Sequence, residues 1–477
     1  MPAMEPSHHP SAVVPSASSV RGPVPRPPGP PSPWFGFPLL RALQRDYLGF
    51  VRHLHRTHGD ITCMRLVNEY AYDLFSPELV REALVDHADH LVRWERGVEV
   101  FAEVFGASVL TTEGGVWQRQ RRMLQPAFTP KRVAGYAALM REAAAGALDA
   151  AVPAGQPSAL VEMDALFSRL AMDVILRTLF SHAASAEDAR AAISATRVLS
   201  ESAMREMFWP VTLPDHWPLP GKAAKRRALR DLRGLVGRHI QARRARPGAE
   251  AGEDLLGRLL ALRDEPTGEA LSEAEVFDQC MVSFQAGHET TATALLWWSR
   301  LMAEHPEAAR RAHDEVDRTL QGRPPGPEDL PALAWLGASL KEAMRLYPPT
   351  AALMTRRATQ DITLGGWPIP RGSLLRITLT ELHLDARVFP EPQAFRPERF
   401  LPDAPPPPRG AWMPFGAGPR VCIGQHFAML EMTLVAAMLL QRYRLALPAE
   451  AKPCEPVLNV TLRPRGGLPL WLHRVAG

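Results

Sequence analysis

A chain of 477 residues, 46% hydrophobic and 22% charged, has the material for one large core or for two or three average domains. A net charge of only +4 over that length gives no footprint for nucleic acid, although a pI near 9.0 leaves room for a local basic patch facing an acidic partner. The four cysteines, Cys63, Cys280, Cys422 and Cys454, form neither a C-x-x-C pair nor an even ladder, which argues against a disulfide scaffold or structural zinc and fits a reducing cytoplasm.

Taken in order, Met1 to Pro33 is dominated by Pro, Ser and Ala. That composition buries too little apolar surface to order itself, so residues 1–33 are expected to form a disordered leader and residues 34–477 the folded unit. No stretch of about 18 uncharged apolar residues follows, so no transmembrane anchor is expected, and no basic segment leads into an apolar signal. A helix is expected from Leu39 to His58, then a hairpin from Asp60 to Leu74 turning at Asn68-Glu69. Ser76-Pro77-Glu78 reads as a helix start. The apolar stretch Val98 to Leu110, with glycines at Gly97 and Gly106, offers Phe101, Phe105 and Leu110 as a mobile pocket wall or as ordinary core.

Trp117 and Arg121 stand four apart, on one helical face. An indole N–H and a guanidinium aimed the same way suit a pair of carboxylates; a surface aromatic–arginine stack is the competing reading. Val133 to Arg246 is mostly helical, broken at Pro210, Pro214, Pro218 and Pro220 around the cluster Met207, Phe208, Trp209 and Trp217. Glu250 to Gly268 is polar and expected to be loop.

The longest helix is expected from Ser272, with Ser272 and Glu275 as a capping box, to Glu304, where His305-Pro306 stops it. At roughly 1.5 Å per residue it spans about 50 Å and must cross the middle of the protein. Its centre reads Ala286-Gly287-His288-Glu289-Thr290-Thr291. A glycine there costs roughly 1 kcal/mol against alanine, and a buried carboxylate with hydroxyls costs more, so a function is expected. Phe284 and Ala286 are candidate pocket residues, and the small pair Ala286-Gly287 lets a flat cofactor or a diatomic ligand approach. Thr290 can loosen the helical ladder by bonding a carbonyl one turn back, and Glu289 can serve as the acid end of a proton relay. A helix–helix contact through small residues is the plainer alternative.

Glu342 and Arg345, three apart on one face, form a carboxylate–guanidinium pair ahead of Tyr347-Pro348-Pro349. Residues 350–355 then begin extended, with Ala351 and Leu353 as pocket candidates, and lead to Arg356-Arg357. Asp361 to Leu379 alternates as a small sheet, and Val457–Leu462 with Leu468–Leu472 flank Gly466-Gly467 as a hairpin. Between them, Phe415-Gly416-Ala417-Gly418-Pro419-Arg420-Val421-Cys422-Ile423-Gly424 places one cysteine in a glycine-bearing turn ahead of a helix from Ile423 to Arg442, whose positive end is expected to lower the thiol pKa. Gly418 and Gly424 let the backbone come close to something flat, Phe415 can cover the sulfur, and Arg420 can reach an anionic group on whatever the sulfur holds. Haem iron suits this arrangement; a lone cysteine beside glycines is otherwise a small buried hydrophobe.

The ten residues from Phe415 to Gly424 resemble the haem-binding loop of the cytochrome P450 family, F-x-x-G-x-R-x-C-x-G, at every fixed position. Ala286 to Thr291 resembles the family's A-G-x-E-T-T signature, Glu342-x-x-Arg345 its E-x-x-R motif, and Pro397-Glu398-Arg399-Phe400 its P-E-R-F segment. The resemblance implies a mainly α fold with a small β region, the P450 fold, and one b-type haem (iron protoporphyrin IX) between the long helix and the cysteine loop. It implies Cys422 as axial ligand of the iron and Phe415, Arg420 and Gly424 as parts of the haem loop. Trp117, Arg121 and Arg356 match propionate positions, with Arg357 as the alternative to Arg356. Glu289 and Thr290 would deliver protons, and Glu342, Arg345 and Arg399 would form a structural network.

The activity implied is insertion of one oxygen atom of O2 into a hydrophobic small molecule, a fatty acid, terpenoid or carotenoid. With no flavin or iron–sulfur segment in the sequence, NAD(P)H electrons are expected through a separate ferredoxin or flavodoxin, docking on Arg119, Arg122, Lys131 and Arg132, unless these are simply a solvated face. A cytoplasmic monomer is expected. A peroxide-driven haem-thiolate enzyme and a haem sensor are the competing readings; the acid–alcohol pair argues against the first, the lack of a signalling or DNA-binding motif against the second.

Overall fold

The architecture follows from one helix that is apolar nearly all round and therefore has to be enclosed. In the computed structural model, which describes residues 25–181, 183, 185–209, 213–245, 254–352 and 354–475, this helix runs Glu273–Glu304 and carries the expected Ser272/Glu275 capping box. Its second half is buried on every side, including Trp297 and Trp298. Each indole N–H finds an acceptor, Leu462 O at 2.7 Å and Ser339 Oγ at 2.9 Å, as a buried tryptophan requires. Around it pack the helices Met163–Phe180, Ala334–Leu346 and Gln425–Arg442, which share one continuous apolar core.

The largest sheet of the β region is five-stranded, in the order Ile61–Leu66, Glu69–Leu74, Leu374–Ile377, Met354–Ala358, Leu91–Arg93. All neighbours are antiparallel except Glu69–Leu74 with Leu374–Ile377, where Tyr72 pairs with Leu375. The register sets Arg93 opposite Arg356 at the sheet edge. The expected mainly α fold with a small β region is the fold observed. No helix among the described residues is long and apolar enough to cross a membrane.

Several local expectations are corrected. Residues 25–32 are not loose: Pro28 O accepts from Cys63 N at 3.1 Å, Ser32 Oγ accepts from Arg65 N at 3.1 Å, and the Arg26 guanidinium lies 3.9 Å from the Tyr70 ring centre. Residues 1–24 of the expected leader lie outside the described residues. The helix expected over 39–58 is two, Phe37–Arg45 and Tyr47–His58, because Asp46 leaves the helical region and caps the second through Gly49 N. Leu255–Ala261, expected as loop, is a helix capped by Asp254.

The C-terminal hairpin around Gly466-Gly467 is also not formed as expected. Leu462–Pro464 pairs with Pro456–Leu458 instead. Pro469–Arg474 joins Ser158–Glu162, a strand the helical pattern had hidden, and Tyr443–Ala446.

Candidate active site

The cysteine turn is fixed by its own backbone. Cys422 N donates to Phe415 O at 2.8 Å, Gly416 N to Met413 O at 2.9 Å and Val421 N to Gly418 O at 3.1 Å. Gly418 has φ +70°, and a Cβ there would lie 2.1 Å from the Leu84 carbonyl oxygen, so only glycine fits. The following helix begins at Gln425 with Gly424 at its cap. The Gly424 amide bonds to the thiol and Arg121 lies near it, yet burial outweighs both and pushes the Cys422 pKa up. The lowered pKa expected from the helix dipole is thus not the outcome: desolvation of the sulfur dominates. Phe415 is half-buried and packs on the main core beside the turn.

Cys422 nevertheless has accessible surface. So has Ala286, in the middle of the otherwise buried central helix, and so in part has Thr290 one turn on. Accessible surface on groups of these core elements suits the lining of an interior chamber. Thr290 Oγ1 donates to Ala286 O at 2.8 Å, the back-bond expected from the sequence. Gly287 faces elsewhere, since a Cβ there would lie 2.9 Å from Ile175 Cδ1. Ala286 leaves room on the chamber side, and Gly287 serves the helix–helix contact.

Glu289 is buried. Its carboxylate accepts from Thr461 Oγ1 at 2.9 Å and from Ser200 Oγ at 3.3 and 3.4 Å, with Arg463 Nε 3.8 Å away. Burial pushes its pKa up against these partners.

A second group of residues is strongly cationic. Arg420 spans Thr112 O at 3.1 Å and the Glu113 carboxylate, and stacks 3.9 Å above the Trp117 ring centre. Arg93 Nε binds the other Glu113 oxygen at 2.7 Å. Arg356 bonds only to the Thr355 carbonyl, and Arg121 has no ion pair or hydrogen bond among the described residues. Burial, aggravated by Arg93, lowers Arg356 to about 10; burial and the neighbouring arginines lower Arg420 to about 9. Arg357 turns the other way, to Glu69 and Glu95, so of the adjacent pair Arg356 is the one facing Trp117 and Arg420. Four guanidiniums against one carboxylate leave an excess of positive charge that calls for a multiply charged anion. The two propionates of a haem supply that, and the thiol and the small-residue face of the central helix fit its iron and its plane.

Glu342 and Arg345 are fully buried and joined by two bonds of 2.7 Å. Arg345 also donates to His383 O at 2.8 Å and Pro392 O at 2.7 Å. Arg399 Nε reaches Glu342 at 3.4 Å, and Arg396 N donates to Glu342 at 2.9 Å.

The remaining candidates scatter. Phe284 and Ala351 have no accessible surface and belong to packed interior, not to a pocket lining. Phe105 is buried with Phe101 stacked on it at 5.9 Å, and Leu110 is exposed. Leu353 lies outside the described residues. A groove of about 410 Å3 lies instead among Leu43, Tyr47, Trp94, Met207, Phe208 and Leu458. Of the basic cluster, Arg119 is bound to Glu275 and Arg122 to Asp264, while Lys131 and Arg132 are exposed. Sequence reasoning missed Arg93, Glu113, Thr461 and Ser200. Glu113 had a local signal, an acid just ahead of the helix start at Gly114-Gly115; the other three meet the site only through the tertiary fold.

The sequence model of the cytochrome P450 family matches residues 26–470. The chain is 36% identical over 413 residues to cyclooctat-9-en-7-ol 5-monooxygenase of Streptomyces melanosporofaciens, covering 86% of this chain and 88% of that one. It is 36% identical over 441 residues to cyclooctatin synthase of the same organism, covering 91% and 90%. To pentalenene oxygenase of Streptomyces avermitilis it is 31% identical over 427 residues, covering 89% and 92%. With the cysteine turn, the small-residue face and the buried Glu342–Arg345 pair on one scaffold, the chain belongs to the cytochrome P450 family and is a haem-dependent monooxygenase.

Proposed function

We propose that this enzyme hydroxylates a terpenoid-type hydrocarbon, with electrons passed from NAD(P)H through a separate ferredoxin or flavodoxin. Among the expected fatty-acid, terpenoid and carotenoid substrates, the names of the Streptomyces relatives favour an unsaturated hydrocarbon skeleton or its alcohol. When bound, a haem with a thiolate ligand supplies the O–O cleavage chemistry, because the sulfur donates electron density to the iron.

The chain's own residues do the rest. Cys422 would hold the iron from the turn before Gln425–Arg442. Arg93, Arg121, Arg356 and Arg420 would hold the propionates, with Trp117 stacked under Arg420. Ala286 keeps the chamber open where its helix passes. Thr290, its hydroxyl hydrogen committed to Ala286 O, offers its lone pairs to a water on the open side, and Glu289, its pKa raised by burial, is the acid one residue away. The network of Glu342, Arg345 and Arg399 fixes the loop leading to the cysteine. The family match over 26–470 favours a single working unit that takes in residues ahead of 34, and we read it as a cytoplasmic monomer.

The observation that carries this reading is that Ala286, Thr290 and Cys422 each keep accessible surface on elements that otherwise build the core. The test is NADPH oxidation with a surrogate ferredoxin and reductase, with and without cyclic terpenes, beside spectral titration of the haem by the same compounds. Substrate-dependent oxidation with a high-spin shift supports it. Turnover driven only by added peroxide, or a shift only with fatty acids, rejects it.

A further inference from the structure

His383 ends a short helix, Leu379–His383, and has no accessible surface. Two of its groups are used in opposite directions. Its carbonyl accepts from Arg345 Nη1 at 2.8 Å, which ties it to the Glu342–Arg345 pair. Its ring Nε2 accepts from Met413 N at 3.1 Å. From Met413 the bonding continues into the cysteine turn: Met413 O takes the Gly416 amide at 2.9 Å, and Phe415 O takes the Cys422 amide at 2.8 Å.

A buried backbone N–H needs an acceptor, because no water is present to supply one. The Met413 amide has the His383 ring for that purpose. An imidazole accepts at Nε2 only when its proton sits on Nδ1. Nδ1 faces the Met344 and Arg345 backbone, which receives its proton at looser geometry than the Met413 bond. Protonating Nε2 would set donor against donor at Met413. Burial, with the Arg345 charge beside it, holds the ring neutral by lowering its pKa to about 3.

We propose that His383 is a positioning residue for the haem ligand. As a neutral hydrogen-bond acceptor it transmits the fixed geometry of the Glu342–Arg345 pair to residues 413–416 and so to the Cys422 turn. The proposal rests on the haem-thiolate reading only in its final step. The bond from Met413 to His383 is a property of the polypeptide and can be read separately.

The test compares His383→Leu, which fills the space without an acceptor, with His383→Gln, whose amide oxygen falls near the Nε2 position. Two quantities are read on the purified protein: hydrogen exchange of the Met413 amide, and the absorption of the reduced, carbon monoxide-treated protein. Wild type and His383→Gln are expected to match in both. His383→Leu is expected to exchange Met413 about tenfold faster or more, as a lost buried hydrogen bond implies, and to show a carbon monoxide band partly moved to the shorter wavelength of a neutral-thiol or unligated haem.

Identical behaviour of the Leu and Gln variants, whether both normal or both impaired, overturns the proposal, since a merely packing role makes that outcome. If His383→Leu does not accumulate, His383→Asn, whose shorter amide falls away from Met413, takes its place with the same expectations. A wild type lacking the red-shifted band defeats the haem-thiolate reading, while the exchange data still decide the Met413 bond.

Discussion

Arg345 grips Glu342 through two parallel bonds of 2.7 Å, and neither side chain exposes any surface. The remaining donors of Arg345 go to the carbonyls of His383, Pro392 and Ala394, so the pair pins three points of the chain leading to the cysteine turn. Removing one partner leaves the other as an uncompensated buried charge. Glu342→Ala is expected to lower stability by about 3–5 kcal/mol, read from urea unfolding. Glu342→Ala combined with Arg345→Met is expected to recover part of that loss.

Arg356 and Arg357 are adjacent and face opposite ways. Arg356 has no acid partner within ion-pair distance among the described residues, whereas Arg357 holds Glu69 and Glu95. Arg356→Gln is expected to speed haem loss by about tenfold, in line with one lost hydrogen bond to a charged group. Arg357→Gln is expected to leave haem loss unchanged and to cost under about 1 kcal/mol of stability. Haem transfer to an acceptor globin measures both.

Thr290 bonds to Ala286 O and sits partly open to the chamber. Thr290→Ala is expected to bind haem as wild type does but to release more hydrogen peroxide per NADPH consumed. Unchanged coupling in a peroxide assay removes Thr290 from proton delivery.

The long helix, its cap and its stop were legible because they are local events: Ser272 with Glu275 at one end and His305-Pro306 at the other. Glu342 with Arg345 and the cysteine turn were legible because short spacing brings those groups together. What tertiary packing decides was not. Gly287 reads like Ala286 in sequence, yet only the position of Ile175 shows that the two serve different faces. Ser158–Glu162 looked helical because its partner, Pro469–Arg474, lies some three hundred residues away.

Two buried histidines give the protein an acid-sensitive window. Burial lowers His288 to about 4 and His383 to about 3, both from 6.5. Between roughly pH 4 and 6.5 the unfolded chain binds protons at both sites that the folded chain refuses. Their contribution to stability therefore falls as pH falls through this window, by up to about 1.4 kcal/mol per pH unit for each. Urea midpoints across that range are expected to fall less steeply for His383→Gln than for wild type. Parallel curves would show that His383 titrates normally in the fold.

The most direct measurement is the absorption of the reduced protein under carbon monoxide, taken for wild type and for Cys422→Ser. Wild type is expected to show the red-shifted band of a haem whose iron receives charge from a thiolate, and Cys422→Ser is expected to lose both that band and oxygen insertion. A wild-type band at the position of an ordinary histidine-ligated or free haem, or full activity in Cys422→Ser, contradicts the account.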